Sequence, residues 1–167
     1  MNTRKIKDAK DLKELGNMKR GEIIKGLKKY FKITELVCPH TYKRYGDMSW
    51  MFLDTEALHT LLVLREDILQ VPLICNSYSI GLTQRGLRCN LCELIKEKTE
   101  NDELSLTAHG NGKAWDLTSP KMTADEMRRK ISQKSHLLPY PVRIEKGVKW
   151  LHVDNYDIGN SQKITYF

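Results

Sequence analysis

His109, Asp116 and His152 are the residues of this chain whose types and spacing could do chemistry. His109 and Asp116 stand seven positions apart in Thr107-Ala108-His109-Gly110-Asn111-Gly112-Lys113-Ala114-Trp115-Asp116. The Gly110-Asn111-Gly112 run between them is a turn signal, because glycine and asparagine reach positive φ at little cost. The apolar-rich flanks, 104–108 and 114–117, read as short strands, so folding one on the other would bring an imidazole and a carboxylate to one point. His152 stands in a second strand-like run, Trp150-Leu151-His152-Val153-Asp154. Two imidazoles and a carboxylate suit a borderline ion such as zinc and leave a fourth position for water.

These residues carry a family resemblance. The chain resembles the zinc D-alanyl-D-alanine peptidases of bacterial cell walls, which include carboxypeptidases, dipeptidases and L-alanyl-D-glutamate endopeptidases. Their pattern, S-x-H-x-x-G-x-A-x-D followed some tens of residues later by a strand bearing histidine, matches here at His109, Gly112, Ala114, Asp116 and His152, with Thr107 in place of serine. The match covers roughly Pro72 to Asp154 and is most similar to the small forms encoded by phages and prophages. The resemblance implies one catalytic zinc ion held by His109, Asp116 and His152, and peptidoglycan stem peptides as substrate.

Zinc would lower the pKa of its water from about 15.7 to about 7 and polarise the scissile carbonyl. A general base must then take the water's proton and hand it to the leaving amine. Many members of the family place an acid for this three residues before the last histidine, where this chain has Lys149. Asp154 and Glu145 are the carboxylates that could serve instead. Asp154 is two residues from His152 and shares its strand face, while Glu145 ends the preceding strand and can face the metal across the hairpin. Asp154 could equally orient a histidine. The family also carries an arginine in a segment like S-G-Y-R-S that grips a substrate carboxylate. The corresponding run here, Asn76-Ser77-Tyr78-Ser79, has serine at that place. Arg85 and Arg88 are the nearby substitutes, since a guanidinium fork suits a carboxylate, and Tyr78 is a further substrate donor. His59 and His136 read as structural or solvated.

Four cysteines raise a rival chemistry. Cys89-Asn90-Leu91-Cys92 is a C-x-x-C, and Cys38-Pro39-His40 sets a cysteine and a histidine two apart. Cys38, His40, Cys89 and Cys92 together could form a Cys3His zinc site. Reduced cysteines used for packing are the expectation, with a second zinc or a disulfide as alternatives. A nucleic-acid-binding zinc module built on that knuckle and on a basic N-terminus, and a zinc-containing wall-binding relative without activity, are the competing functions. Bacterial peptidoglycan peptides are the expected partner, with no membrane span and no nucleic acid, and a monomer is the expected state.

The elements must place these groups. The chain has 167 residues, 40% of them hydrophobic and 29% charged, which suits a globular body with a core of its own. No apolar run is long enough to span a bilayer, and no secretory signal is visible at the start. Synthesis in the cytoplasm, with action on the wall after release or by another export route, is therefore expected. The net charge of +7 sits wholly in residues 1–32, which hold eleven Lys/Arg against four Asp/Glu. Residues 1–30 read as a basic helical segment, with helices at 5–15 and 20–31, and residues 31–167 as the zinc peptidase domain. Asp54 caps the strongest helical pattern, Thr55 to Gln70. Leu73 to Cys75 reads as a buried strand, Leu87 to Lys98 as a helix, and Thr123-x-x-Glu126 as a capping box opening another. Residues 142–145 and 149–154 form a hairpin, with a last strand at 164–167. Helices first and strands later give an α+β fold whose small antiparallel sheet carries the site, packed with several helices.

Overall fold

The computed structural model describes residues 18–167. The expected helix at 5–15 lies outside them. Among the described residues, five α-helices run Arg20–Leu27 (α1), Pro39–Tyr45 (α2), Thr55–Val63 (α3), Glu93–Glu100 (α4) and Ala124–Gln133 (α5). Four strands follow the order Ala114–Leu117 (β1), Val142–Ile144 (β2), Leu151–Asp154 (β3) and Ile164–Tyr166 (β4). The fold is α+β.

α3 is the centre of the core. Asp54 accepts the amides of Glu56 (2.9 Å) and Ala57 (3.1 Å), which satisfies donors that a helix start leaves free. Every residue of α3 from Ala57 to Val63 is buried, and a wider π-type turn, Leu64–Ile68, carries the chain on to Gln70. Gln70 ends it at φ +59°, just before Pro72. α1 packs on this helix through Ile23 and Leu27, and a Cβ at Gly26 would press on the Leu62 side chain at 3.0 Å. Residues 20–27 thus belong to the same body as the sheet. On the other side of α3, the Trp115 indole of β1 donates to Ala57 O (3.0 Å). A fully buried leucine or tryptophan here contributes about 1.5–3 kcal/mol or more through area removed from water.

The sheet order is β1-β3-β2-β4. β3 is antiparallel to both neighbours, with Asp116 opposite His152 and Arg143 opposite Asp154. β4 runs parallel to β2, so the sheet is mixed rather than antiparallel. The cause is an occupied edge. A strand after β3 would ordinarily return beside it, but β1 and β2 hold both of its flanks, so β4 takes the free side of β2. Strand alternation then divides the faces. Trp115, Leu117, Val142, Ile144, Leu151 and Val153 enter the core. Asp116, His152, Asp154 and Arg143 share the opposite face, and alternation carried one residue past β2 assigns Glu145 to it.

Three expected elements differ. Residues 104–108 are not a strand, and Leu104 and Leu106 are 81% and 67% exposed. The seat beside β1 is taken: Asp116 N donates to Arg85 O (2.8 Å), and Ile74 bridges Thr118. His109 therefore comes from a turn and not from a strand. Leu73 to Cys75 contributes only that bridge at Ile74. The helix expected from Leu87 begins at Glu93, because residues 87–92 leave the helical path to pair Leu87 with Val37 and to turn at Cys89.

Candidate metal centres

Two groups of metal-ligand side chains converge among the described residues, and one segment, residues 86–92, touches both. The first is His109, Asp116 and His152. Asp116 and His152 face each other across the β1–β3 ladder, so their side chains meet because of register alone. His109 is delivered by a tight turn. Asn111 N donates to Thr107 O (3.1 Å), Lys113 N to Ala108 O (2.8 Å), and Gly110 N to the Thr107 hydroxyl (3.0 Å). Thr107 thus supplies the turn's side-chain acceptor. Gly112 has φ +66°, and a Cβ there would lie 2.3 Å from Phe52 O, so this position requires glycine twice over.

All three residues are nearly closed to solvent, at 4%, 6% and 9% exposure. His109 Nδ1 lies 2.9 Å from Gly86 O, an acceptor, so Nδ1 carries a proton and Nε2 is the nitrogen turned into the cluster. That Nε2 is buried without a hydrogen bond and sits 3.3 Å from Asp116 Oδ2. His152 Nδ1 is 2.7 Å from Asp116 Oδ1, and its Nε2 is 3.1 Å from Asp154 Oδ2. Two buried imidazoles converging on one carboxylate fit a zinc ion, with His109 Nε2, an Asp116 oxygen and His152 as ligands.

Without an ion the cluster is held by charge. Burial pulls the His152 imidazole down, yet Asp116 and Asp154 together outweigh it and raise its pKa to about 9. Burial likewise opposes the charged form of Asp116, but His109 and His152 hold its carboxyl far below the usual range. Asp154 is also held low, against burial, by His152 and Arg143.

The other expected site residues fall in distinct places. Asp154 is fully buried; Arg143 clasps it through Nε and Nη2, both at 2.9 Å, and Tyr156 N donates to it at 3.0 Å. Phe167 and Tyr156 cover the Arg143 guanidinium at 4.8 and 5.3 Å. Glu145 N donates to His152 O at 3.4 Å, so the register sets Glu145 directly opposite His152. Lys149 is exposed and lines a groove of about 710 Å3 beyond the end of β1, where Thr118 to Met127 form the other wall. Arg88 donates through Nη2 to Asp116 Oδ2 (3.1 Å) and through Nε to Gln84 O. Arg85 lies with its guanidinium 5.7 Å from the Trp150 ring, and no carboxylate among the described residues pairs with it. Tyr78 is half-exposed, in a short turn, Tyr78–Ile80, within electrostatic reach of Cys38 and Cys92 rather than of the histidines. His59 is buried beside Tyr140, where burial lowers its pKa to about 4, and His136 is exposed.

The second group is Cys38, His40, Cys89 and Cys92, whose donor atoms all lie within 4.8 Å of one another. Packing was the expectation for these cysteines; a Cys3His cluster able to bind a metal ion is what the fold builds. All four cysteines are free, and only Cys75 is plain core. Neither half alone, C-x-H or C-x-x-C, tells that the two meet, with His40 and Cys89 separated by 49 positions. Arg143, clasping Asp154, was also missed; it stands opposite Asp154 on β2, a relation visible only once the hairpin register is known.

Comparison with known proteins finds no matching protein family, no matching curated protein and no matching solved structure.

Proposed function

We propose that the chain is a zinc peptidase that hydrolyses an amide in bacterial peptidoglycan stem peptides, in the manner of the zinc D-alanyl-D-alanine peptidases that its motif resembles. The observation that carries this reading is the buried Nε2 of His109, 3.3 Å from the same carboxylate that His152 faces from the neighbouring strand. When bound, zinc supplies a water of pKa about 7 and a Lewis acid for the carbonyl.

The protein's own groups have separable tasks. Gly86 O fixes the tautomer of His109, and Asp154 orients His152 from the far side of its ring. Both Asp154 oxygens are engaged by Arg143 and sealed from solvent, which suits orientation and not proton exchange with water. Glu145, on the same face and opposite His152, is the carboxylate better placed to take the proton and deliver it to the leaving amine. Arg88 is committed to Asp116, whereas Arg85 is unpaired and lies by Trp150, so Arg85 is the one to receive a substrate carboxylate. Lys149, where the family has an acid, favours a second reading in which the centre holds zinc without turning over.

The test is release of peptide fragments from purified peptidoglycan, followed by mass spectrometry. The zinc-loaded chain should cut, chelator should stop it, and added zinc should restore it. A chain that retains zinc and releases nothing supports the second reading.

A further inference from the structure

We propose that Cys38, His40, Cys89 and Cys92 hold a second zinc ion, a closed structural site that clamps residues 86–92, the segment positioning His109 and Asp116, against the start of α2. Three of the donors are spaced as one face of a zinc tetrahedron, and Cys38 Sγ lies within 4.8 Å of each of them. Zinc bonds of about 2.3 Å to sulfur and about 2.0–2.1 Å to nitrogen put donor edges near 3.8 Å for S···S and near 3.5 Å for S···N. Here Cys89 Sγ and Cys92 Sγ are 3.9 Å apart, and they lie 3.6 and 3.9 Å from His40 Nδ1. Four donors of this kind fill the coordination shell, leaving no open position for water. That makes the site structural.

The backbone brings the two halves together. Leu87 N donates to Leu36 O (2.9 Å) and Cys38 N to Leu87 O (3.0 Å), a short parallel bridge. A Cβ at Gly86 would stand 2.1 Å from Leu36 O, so this approach depends on glycine. Cys92 N then donates to Cys89 O (3.0 Å), folding the C-x-x-C into the turn that lets both thiols face one point. Cys38 and Cys92 are buried, whereas His40 is exposed and Cys89 half-buried, so an ion can reach the site from the surface. The Cys38 sulfur also lies 3.1 Å from the Thr41 hydroxyl, which ties it to the first turn of α2.

The clamped segment serves the other centre. Gly86 O accepts His109 Nδ1, Arg88 N donates to His109 O (3.2 Å), and the Arg88 guanidinium reaches Asp116. An ion at the thiolates would therefore hold the orientation of two ligands of the first centre.

Cobalt(II) reports the two sites separately, because only thiolate ligation gives an intense sulfur-to-cobalt charge-transfer band. The metal-stripped full chain titrated with cobalt should develop that band, and zinc should bleach it. The band should persist in His109→Ala and vanish when Cys89 and Cys92 are both replaced by serine. His40→Ala, at an exposed position, should weaken cobalt binding if the double variant does not fold. In His109→Ala, zinc should also slow amide exchange over residues 86–92. Absence of the band in the wild-type chain, with thiol alkylation equally fast with and without zinc, would overturn the site. A band without exchange protection would overturn the clamp. Failure here is distinct from failure of the peptidase reading, which is scored by peptide release.

Discussion

The two donor groups flank one segment, residues 86–92, yet differ in every property that sets what a metal can do. The His109–Asp116–His152 group stands on a sheet, two of its members fixed by cross-strand register, with three donors and further carboxylates on the same face. The Cys38–His40–Cys89–Cys92 group stands on loops and helix starts, with four donors and no carboxylate. Three ligands on a rigid face leave room for a reacting water, whereas three thiolates and an imidazole close the shell. The lesson is that donor number and softness, more than proximity, separate a site for chemistry from a site for bracing.

The largest effect should come from removing a sheet ligand. His152→Ala should lower peptide release on the order of 10⁴-fold or more while leaving the thiolate–cobalt band intact. Equal loss at both centres would break the division between them. Next, Glu145→Gln should lower kcat by about 10² to 10⁴-fold with zinc retained, as expected for loss of an acid/base. Unchanged turnover would return that role to Asp154. Asp154→Asn should weaken zinc at the sheet centre by about 10- to 100-fold, measured by competition with a chromogenic chelator, because it orients His152 without touching the ion. No change in affinity would show that His152 is held by Asp116 alone.

The smallest effect is one of pH. In the metal-free chain His152 is raised to about 9, and zinc must displace its proton. Apparent zinc affinity at the sheet centre should therefore fall by about tenfold for each pH unit below 9. The same shift gives the metal-free chain stability that is fully present below the ordinary histidine value and is lost as pH rises through about 9. His59 sharpens the point. It is buried too, but burial is the sole cause acting on it and lowers it to about 4.

Much of the sheet centre was legible in the sequence. Period-two alternation places His152 and Asp154 on one face and Leu151 and Val153 on the other, and the glycine-rich turn marks where His109 enters. The capped helices at Asp54 and Thr123 follow from their side-chain acceptors. What alternation could not convey was the partner. Leu104 and Leu106 alternate like a strand, but Arg85 and Ile74 already occupy the edge of β1. Leu87 to Lys98 has helical composition, but the Val37–Leu87 bridge and the turn at Cys89 use its first six residues otherwise. The four-residue cysteine group was legible as an alternative to packing; what closes it is the approach of Gly86 to Leu36, a contact with no local signature.

The most direct test of the central claim pairs two readings on zinc-loaded His109→Ala and wild-type chain: zinc bound per chain, and peptides released from purified peptidoglycan. The wild type should carry two zinc ions and release peptides, and the variant should carry one and release none. Full release by His109→Ala would contradict the account.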